Sequence, residues 1–281
     1  PDAGGTERSL LSWTEGKEDF VGIDNTLSHL VHGPVDCDQI DYLLRDSHFT
    51  GVKHGIIDHN RLISSMNRKG GDIAINEGGI SSLEGMLVAR GLMYSSVYFH
   101  RVTRVTEVML SSAVERSLDS LPDSLDMQRY VDSEVWGALN SANDYSRDIV
   151  KRFKYRQLMK VCVSLRRQEL LDHHVTRLIE MSQNSSIRRS FEDDIAIRAG
   201  LLPGYVLIDM PSVKLLLSEP RMAQVDIKII GDDGKIRWLR EHTPIAEALR
   251  SRQVSQSAVY VMTVPSHKDI VSKLIKTYLF D

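Results

Sequence analysis

The sequence predicts a mainly α-helical domain followed by a smaller α+β lobe with an antiparallel sheet. Three observations carry this expectation. Apolar residues recur at helical spacing through most of the first 155 positions, most extensively from Ser81 to Leu118. Beyond Leu158, short β-rich runs alternate with helical patterns and an Asp-Gly turn. Apolar residues make up 42% of the 281-residue chain, enough for one large domain or two modest ones. The change in character places a boundary between residues 155 and 156, giving domains 1–155 and 156–281.

Taken in order, residues 1–20 are polar and read as a loop and a short helix, and Val21–Val31 is a weakly apolar lead-in. From Gly33 to His48 runs a helix with a heavy acidic load. Pro34 and Asp36 suit its start, and Ile40, Leu43 and Leu44 mark its buried side. Asp38, Tyr42 and Arg45 share a second face, and Asp41 can pair with Arg45 one turn away. Gly51 to Gly55 breaks the helix, and Asp58 can cap the next one. Lys69-Gly70-Gly71-Asp72 reads as a hairpin turn between short strands at Met66–Arg68 and Ile73–Ile75.

Ser81–Leu118 then reads as one long helix, ended by Pro122 and Asp123. Arg90, Tyr94, Tyr98, Arg101 and Arg104 form a basic and phenolic stripe along it. Such a row suits an anion; the plainer reading is a solvated stripe that pairs with Glu84 and Glu107. Val131–Ala142 and Tyr145–Tyr155 are two further helices, and the second carries a basic cluster from Arg147 to Lys160. A strand at Leu158–Leu165, helices at Gln168–Met181 and Ile187–Ala199, and strands at Tyr205–Ile208 and Val225–Ile230 follow. The turn Gly231–Gly234 leads into Ile236–Leu239; a short helix from Thr243-Pro244 to Leu249, a strand at Ala258–Val264 and a closing helix at Asp269–Leu279 complete the chain.

The bulk properties exclude several classes. A net charge of −3 offers no global basic field for nucleic acid or membrane, so both are unexpected partners. Two cysteines, Cys37 and Cys162, do not make a disulfide framework, which fits a reducing, cytoplasmic setting. No stretch of 18 apolar residues is present to span a bilayer.

The run Gly33-Pro34-Val35-Asp36-Cys37-Asp38-Gln39-Ile40-Asp41-Tyr42-Leu43-Leu44-Arg45-Asp46 resembles a signature of the HD-domain phosphohydrolases. The nearest branch is that of the deoxynucleoside triphosphate triphosphohydrolases and their relatives. The resemblance implies the C-terminal part of an HD-domain helical fold. It puts Asp38 on the last metal ligand and Tyr42, Asp46, Arg90 and Tyr98 on substrate-contacting positions. It puts Arg61, His100, Arg101, Arg156 and Lys160 on a regulatory nucleotide site formed between subunits, hence a homo-oligomer. Gln39 stands where the family has a phosphate-contacting Lys, and Tyr94 where it has a His near the base. An intact family site binds manganese, iron, zinc or magnesium through two His and two Asp. The upstream His and His-Asp pair are not found here: none of the ten His is followed by Asp, and about thirty-five residues precede Asp38.

The expectation is therefore a metal-dependent phosphohydrolase of nucleoside triphosphates, with the metal site incomplete in this chain and the chain alone inactive. The sequence is either part of a longer protein or a degraded member. The alternative from another class is a non-catalytic HD-fold scaffold that binds a nucleotide or a partner protein. A nucleic-acid module built on the Arg147–Arg167 basic residues lacks interleaved aromatics.

Overall fold

The computed structural model describes residues 23–69, 71–210, 227–245, 248 and 258–280. The readings of residues 1–20, of Gly70, of Val225 and Asp226, and of the helix end at Leu249 lie outside them. In chain order the elements are α1 (Ile23–His32), α2 (Cys37–Thr50), α3 (His59–Ser65), β1 (Met66–Lys69), β2 (Asp72–Asn76), α4 (Ile80–Met93) and α5 (Arg101–Glu115). There follow α6 (Ser124–Met127), α7 (Asp132–Ala142), α8 (Asp144–Lys154), β3 (Lys160–Leu165), α9 (Asp172–Gln183) and α10 (Ser185–Arg198). The chain closes with β4 (Val206–Asp209), β5 (Lys228–Ile230), β6 (Ile236–Trp238), α11 (Leu239–His242), β7 (Val259–Thr263) and α12 (Lys268–Leu279). The fold is mainly α with small sheets, as the sequence predicts. Among the described residues no helix is long and apolar enough to cross a membrane.

Two compact units share the chain discontinuously. One comprises Pro1–Tyr98 and Glu219–Val254, the other Phe99–Ser218 and Ser255–Asp281. The 155/156 boundary expected from sequence lies inside the second unit. Two packings account for this: α5 and α8 bury Met109 and Ile149 with Leu207 of β4 and Met262 of β7, and a returning strand joins the first unit. β1 and β2 form the expected antiparallel hairpin, but β5 then adds to β2 in parallel, with Ile75 opposite Ile229, and β6 completes the order β1-β2-β5-β6. Lys228 and Asp72 form an ion pair across the new seam. The Gly231–Gly234 turn thus belongs to this sheet, not to a separate C-terminal lobe. Leu43, Leu62, Ile75, Leu83, Met86, Met93, Ile229 and Leu239 are buried together as the core of this unit.

The second unit holds a purely antiparallel sheet, β3-β7-β4. One apolar cluster includes Val163, Leu178, Ile195, Val261 and Ile275, and another includes Met109, Leu139, Ile149, Leu207 and Met262. β7 carries Val261 in one cluster and Met262 in the other, as the alternation of a buried strand requires.

The expected long helix Ser81–Leu118 is two helices. α4 ends at Met93, a π-helical turn covers Tyr94–Tyr98, and α5 starts afresh at Arg101. The cause is local. Ser95 Oγ donates to the carbonyls of Gly91 and Leu92 at 3.2 and 3.0 Å, and Ser96 Oγ to that of Leu92 at 2.6 Å. Such back-bonding competes with the helical ladder and widens it. His100 then adopts an extended backbone, and its Nδ1 accepts from the Val102 N–H at 3.3 Å, capping α5. α5 ends at Glu115, well before Pro122.

Candidate functional site

The first unit brings α2 and the α4–Tyr98 segment together around one set of polar side chains. α2 begins as its sequence demands. Asp36 caps it, Oδ1 accepting from the Gln39 N–H at 2.7 Å, and Gly51 ends it with a left-handed φ of 73°. Asp38, Tyr42 and Asp46 then recur at steps of four along the helix, on one stripe. Asp38 is exposed, and Tyr42 and Asp46 are half-buried. Arg45 is turned to solvent and makes a bidentate pair with Asp41 at 2.8 and 2.9 Å.

The π-helical turn places its phenols against this stripe. Tyr98 donates its hydroxyl to Asp46 Oδ2 at 2.5 Å. Its ring meets Tyr42 edge-on with centroids 5.7 Å apart, and Tyr94 at 5.1 Å. Burial, then the Asp46 hydrogen bond and charge, raise the Tyr98 phenol above its ordinary pKa; burial and the Tyr94 phenol do the same for Tyr42. Both therefore stay protonated at neutral pH and act as hydrogen-bond donors.

Arg90, on the last turn of α4, is 9% exposed, so the solvated-stripe reading does not describe it. Its Nη1 donates to Gln39 Oε1 at 3.0 Å, and its guanidinium carbon lies 5.8 Å from the Tyr94 ring centroid. Its Nε is buried with no hydrogen-bond partner among the described residues. Gln39 in turn donates through Nε2 to Asp36 Oδ2 at 2.9 Å and to the Gly33 carbonyl at 3.1 Å. Burial raises the Asp36 carboxyl above its ordinary pKa against those hydrogen bonds. This Asp36–Gln39–Arg90 chain is absent from the sequence reading. Its one legible signal is the three-residue spacing of Asp36 and Gln39.

The rest of the sequence-predicted stripe goes elsewhere. Arg101 is exposed at the start of α5, on a different element from Arg90 and Tyr98. Arg104 forks onto Asp209 at 2.9 and 2.7 Å and also pairs with Glu107. Of the regulatory candidates, Arg61 lies in the first unit and donates to the Gly78 carbonyl at 3.0 Å. His100, Arg101, Arg156 and Lys160 lie in the second and are all exposed. Arg156 has a positive φ of 54°, the left-handed conformation that ends α8. In the nearby basic cluster Arg147 pairs with Asp144 at 2.7 Å and Arg152 with Asp148 at 2.6 Å.

The metal expectation finds only Asp38. Among the described residues no group of three or more His, Cys, Asp or Glu side chains could hold a metal ion. Asp36, the adjacent acidic side chain, is 6% exposed and occupied by Gln39. Asp38 is thus a candidate ligand carried by the motif resemblance.

The family model makes the chain a relative of the HD-domain proteins. The chain belongs to the family described as the HD associated region, whose model matches residues 57–280. It is 26% identical over 257 residues to the uncharacterized protein MJ1154 of Methanocaldococcus jannaschii, a match over 89% of this chain and 52% of that one. It is 24% identical over 260 residues to the uncharacterized protein YwfO of Bacillus subtilis, over 82% of this chain and 56% of that one. The chain therefore spans about half the length of these curated relatives. Among solved structures, a hypothetical protein of Aquifex aeolicus matches 97% of the chain, and 66% of its own, with a TM-score of 0.67 at 21% identity. A phosphohydrolase of Bacteroides thetaiotaomicron matches 90% of the chain, and 66% of its own, with a TM-score of 0.60 at 21% identity. At that identity these two likenesses establish the shared fold.

Proposed function

We propose that this chain supplies the substrate-facing side of an HD-type phosphohydrolase site that cleaves a deoxynucleoside triphosphate to nucleoside and triphosphate. The observation that carries the reading is the convergence, within one unit, of Arg90 with the α2 stripe and the Tyr42–Tyr94–Tyr98 cluster. A guanidinium with an unpaired Nε–H can neutralise phosphate oxygens, and protonated phenols donate to sugar or phosphate oxygens. Asp46, already engaged by Tyr98, would accept from a sugar hydroxyl, and the aromatic edges would offer a surface to a base. Asp38 is the candidate metal ligand of the whole protein. Membership of the HD associated region family supports the hydrolase class; the deoxynucleotide rests on the motif resemblance.

Calorimetric titration of the full-length protein with dGTP, beside a product assay, tests this. Loss of one charge-assisted contact costs roughly 1.5–3 kcal/mol, so Arg90→Ala should bind about tenfold or more weakly. Equal affinity in the two proteins would remove Arg90 from the site. Turnover of dGTP to products other than nucleoside and triphosphate would change the reaction assigned. Arg61, His100, Arg101, Arg156 and Lys160 are further proposed to bind a regulatory nucleotide between copies of the protein. Like charges, if brought together there, would need an anion to be stable. Sedimentation should show a dimer or larger, strengthened by nucleoside triphosphate; a monomer at every concentration, with and without it, would overturn this.

A further inference from the structure

We infer that Gln39 is the positioning residue that holds the Arg90 guanidinium for an anionic ligand, through a buried relay from Gly33 and Asp36. The inference rests on the reading of Arg90 as a phosphate contact. Gln39 is 7% exposed, and its side chain makes three hydrogen bonds in three directions. Two are given, to Asp36 Oδ2 and the Gly33 carbonyl, and one is accepted, from Arg90 Nη1. The orientation of the amide follows from its neighbours. Reversed, it would set an NH2 against a guanidinium and an oxygen against a carboxylate.

Few side chains can take this place. The position needs an acceptor toward Arg90 and two donors toward Asp36 and Gly33. Lys has donors only and would aim an ammonium at Arg90. Glu, when ionised, has acceptors only and would face the Asp36 carboxylate. Leu would leave Arg90 Nη1, Asp36 and the Gly33 carbonyl short of a partner in a buried setting. The anchor itself is rigid. Asp36 receives both the main-chain and the side-chain donor of Gln39 and caps α2 at the same time. With Nη1 fixed and Tyr94 alongside, the guanidinium keeps Nε free of hydrogen bonds among the described residues, which is the donor a phosphate oxygen would take up. The relay thus trades a direct contact by residue 39 for control of the angle at which Arg90 meets the ligand.

The test is titration of the full-length protein with inorganic triphosphate. Gln39→Leu should weaken binding about as much as Arg90→Ala, by roughly tenfold. The double variant should be little weaker than either, because both remove one interaction. Gln39→Asn keeps the amide but shortens its reach, so it should also bind more weakly while its thermal melt stays that of wild type; it decides the matter where Gln39→Leu folds poorly. The Arg90 Nε–H signal followed by NMR should shift with triphosphate in wild type and stay put in both variants, a reading that a merely structural role would not produce. Fully additive losses, wild-type binding by Gln39→Leu and Gln39→Asn, or an Arg90 signal that responds to triphosphate alike in all three proteins would overturn the inference while leaving Arg90 in the site. Wild-type binding by Arg90→Ala would overturn the phosphate reading first and the relay with it.

Discussion

Arg104 and Arg90 have the same chemistry and sit on what the sequence reads as one stripe, yet they have opposite fates. Arg90 is held by a neutral amide and keeps a buried donor unspent. Arg104 is consumed by Asp209, which is 4% exposed and receives two guanidinium hydrogen bonds. Burial raises the Asp209 carboxyl above its ordinary pKa, and the Arg104 hydrogen bonds and charge oppose that. Removing the arginine would leave a buried carboxylate without its counter-charge. Arg104→Ala should therefore destabilise the second unit by about 3–5 kcal/mol. The paired change Arg104→Met with Asp209→Leu should recover most of that. Chemical denaturation of the three proteins checks this, and a loss below about 1 kcal/mol for Arg104→Ala would show that the pair is dispensable.

At the scale of elements, the interruption between α4 and α5 decides which residues come together in the candidate site. An unbroken helix would have put Arg90, Tyr98, Arg101 and Arg104 on one rigid rod. Instead Ser95 and Ser96 bond back to the preceding turn, His100 restarts the ladder, and the phenols at 94 and 98 remain with α2. The apolar periodicity on either side of the break is unchanged, which is why a pattern of apolar spacing runs straight across it. The pieces that local chemistry specifies are where the sequence puts them. Asp36 and Gly51 bound α2, Asp58 caps α3 by accepting from the Arg61 N–H at 3.1 Å, and Gly200 stops α10 with a φ of 78°.

At the scale of the whole molecule, Glu192 couples α10 to the sheet of the second unit. It is 3% exposed, accepts from the Ile208 N–H at 2.7 Å, and faces Arg188 on its own helix, with Arg116 and Asp193 nearby. Burial pushes its carboxyl from 4.5 up to about 7, against the lowering effect of that hydrogen bond and of Arg188 and Arg116. Between those values the folded form keeps a proton that the unfolded chain has released. Stability should thus fall as pH rises from 4.5 to about 7, by about 3 kcal/mol from this group, and level off above. Thermal melts of wild type across that range should show the decline, and Glu192→Gln, whose amide oxygen can still accept from Ile208, should flatten it. An identical pH dependence in the two proteins would assign the effect to other groups.

What the sequence by itself determined is what short-range chemistry encodes: the caps, stops and turns, the hairpin at residues 66–76, the alternation of the strands, and the α2 stripe with its family resemblance. Each is settled by residues a few positions apart, where spacing maps directly onto a helix face or a turn. Only the tertiary structure decided which distant groups meet. β5 joins β2 across some 150 residues, Tyr98 reaches Asp46 across 52, and Arg90 reaches Gln39 across 51. A buried polar group takes whatever partner the fold presents, because leaving it unpaired costs more than any local preference of that side chain. That pairing, and not the residue type, separates an arginine that keeps an unpaired donor among the described residues from one already spent.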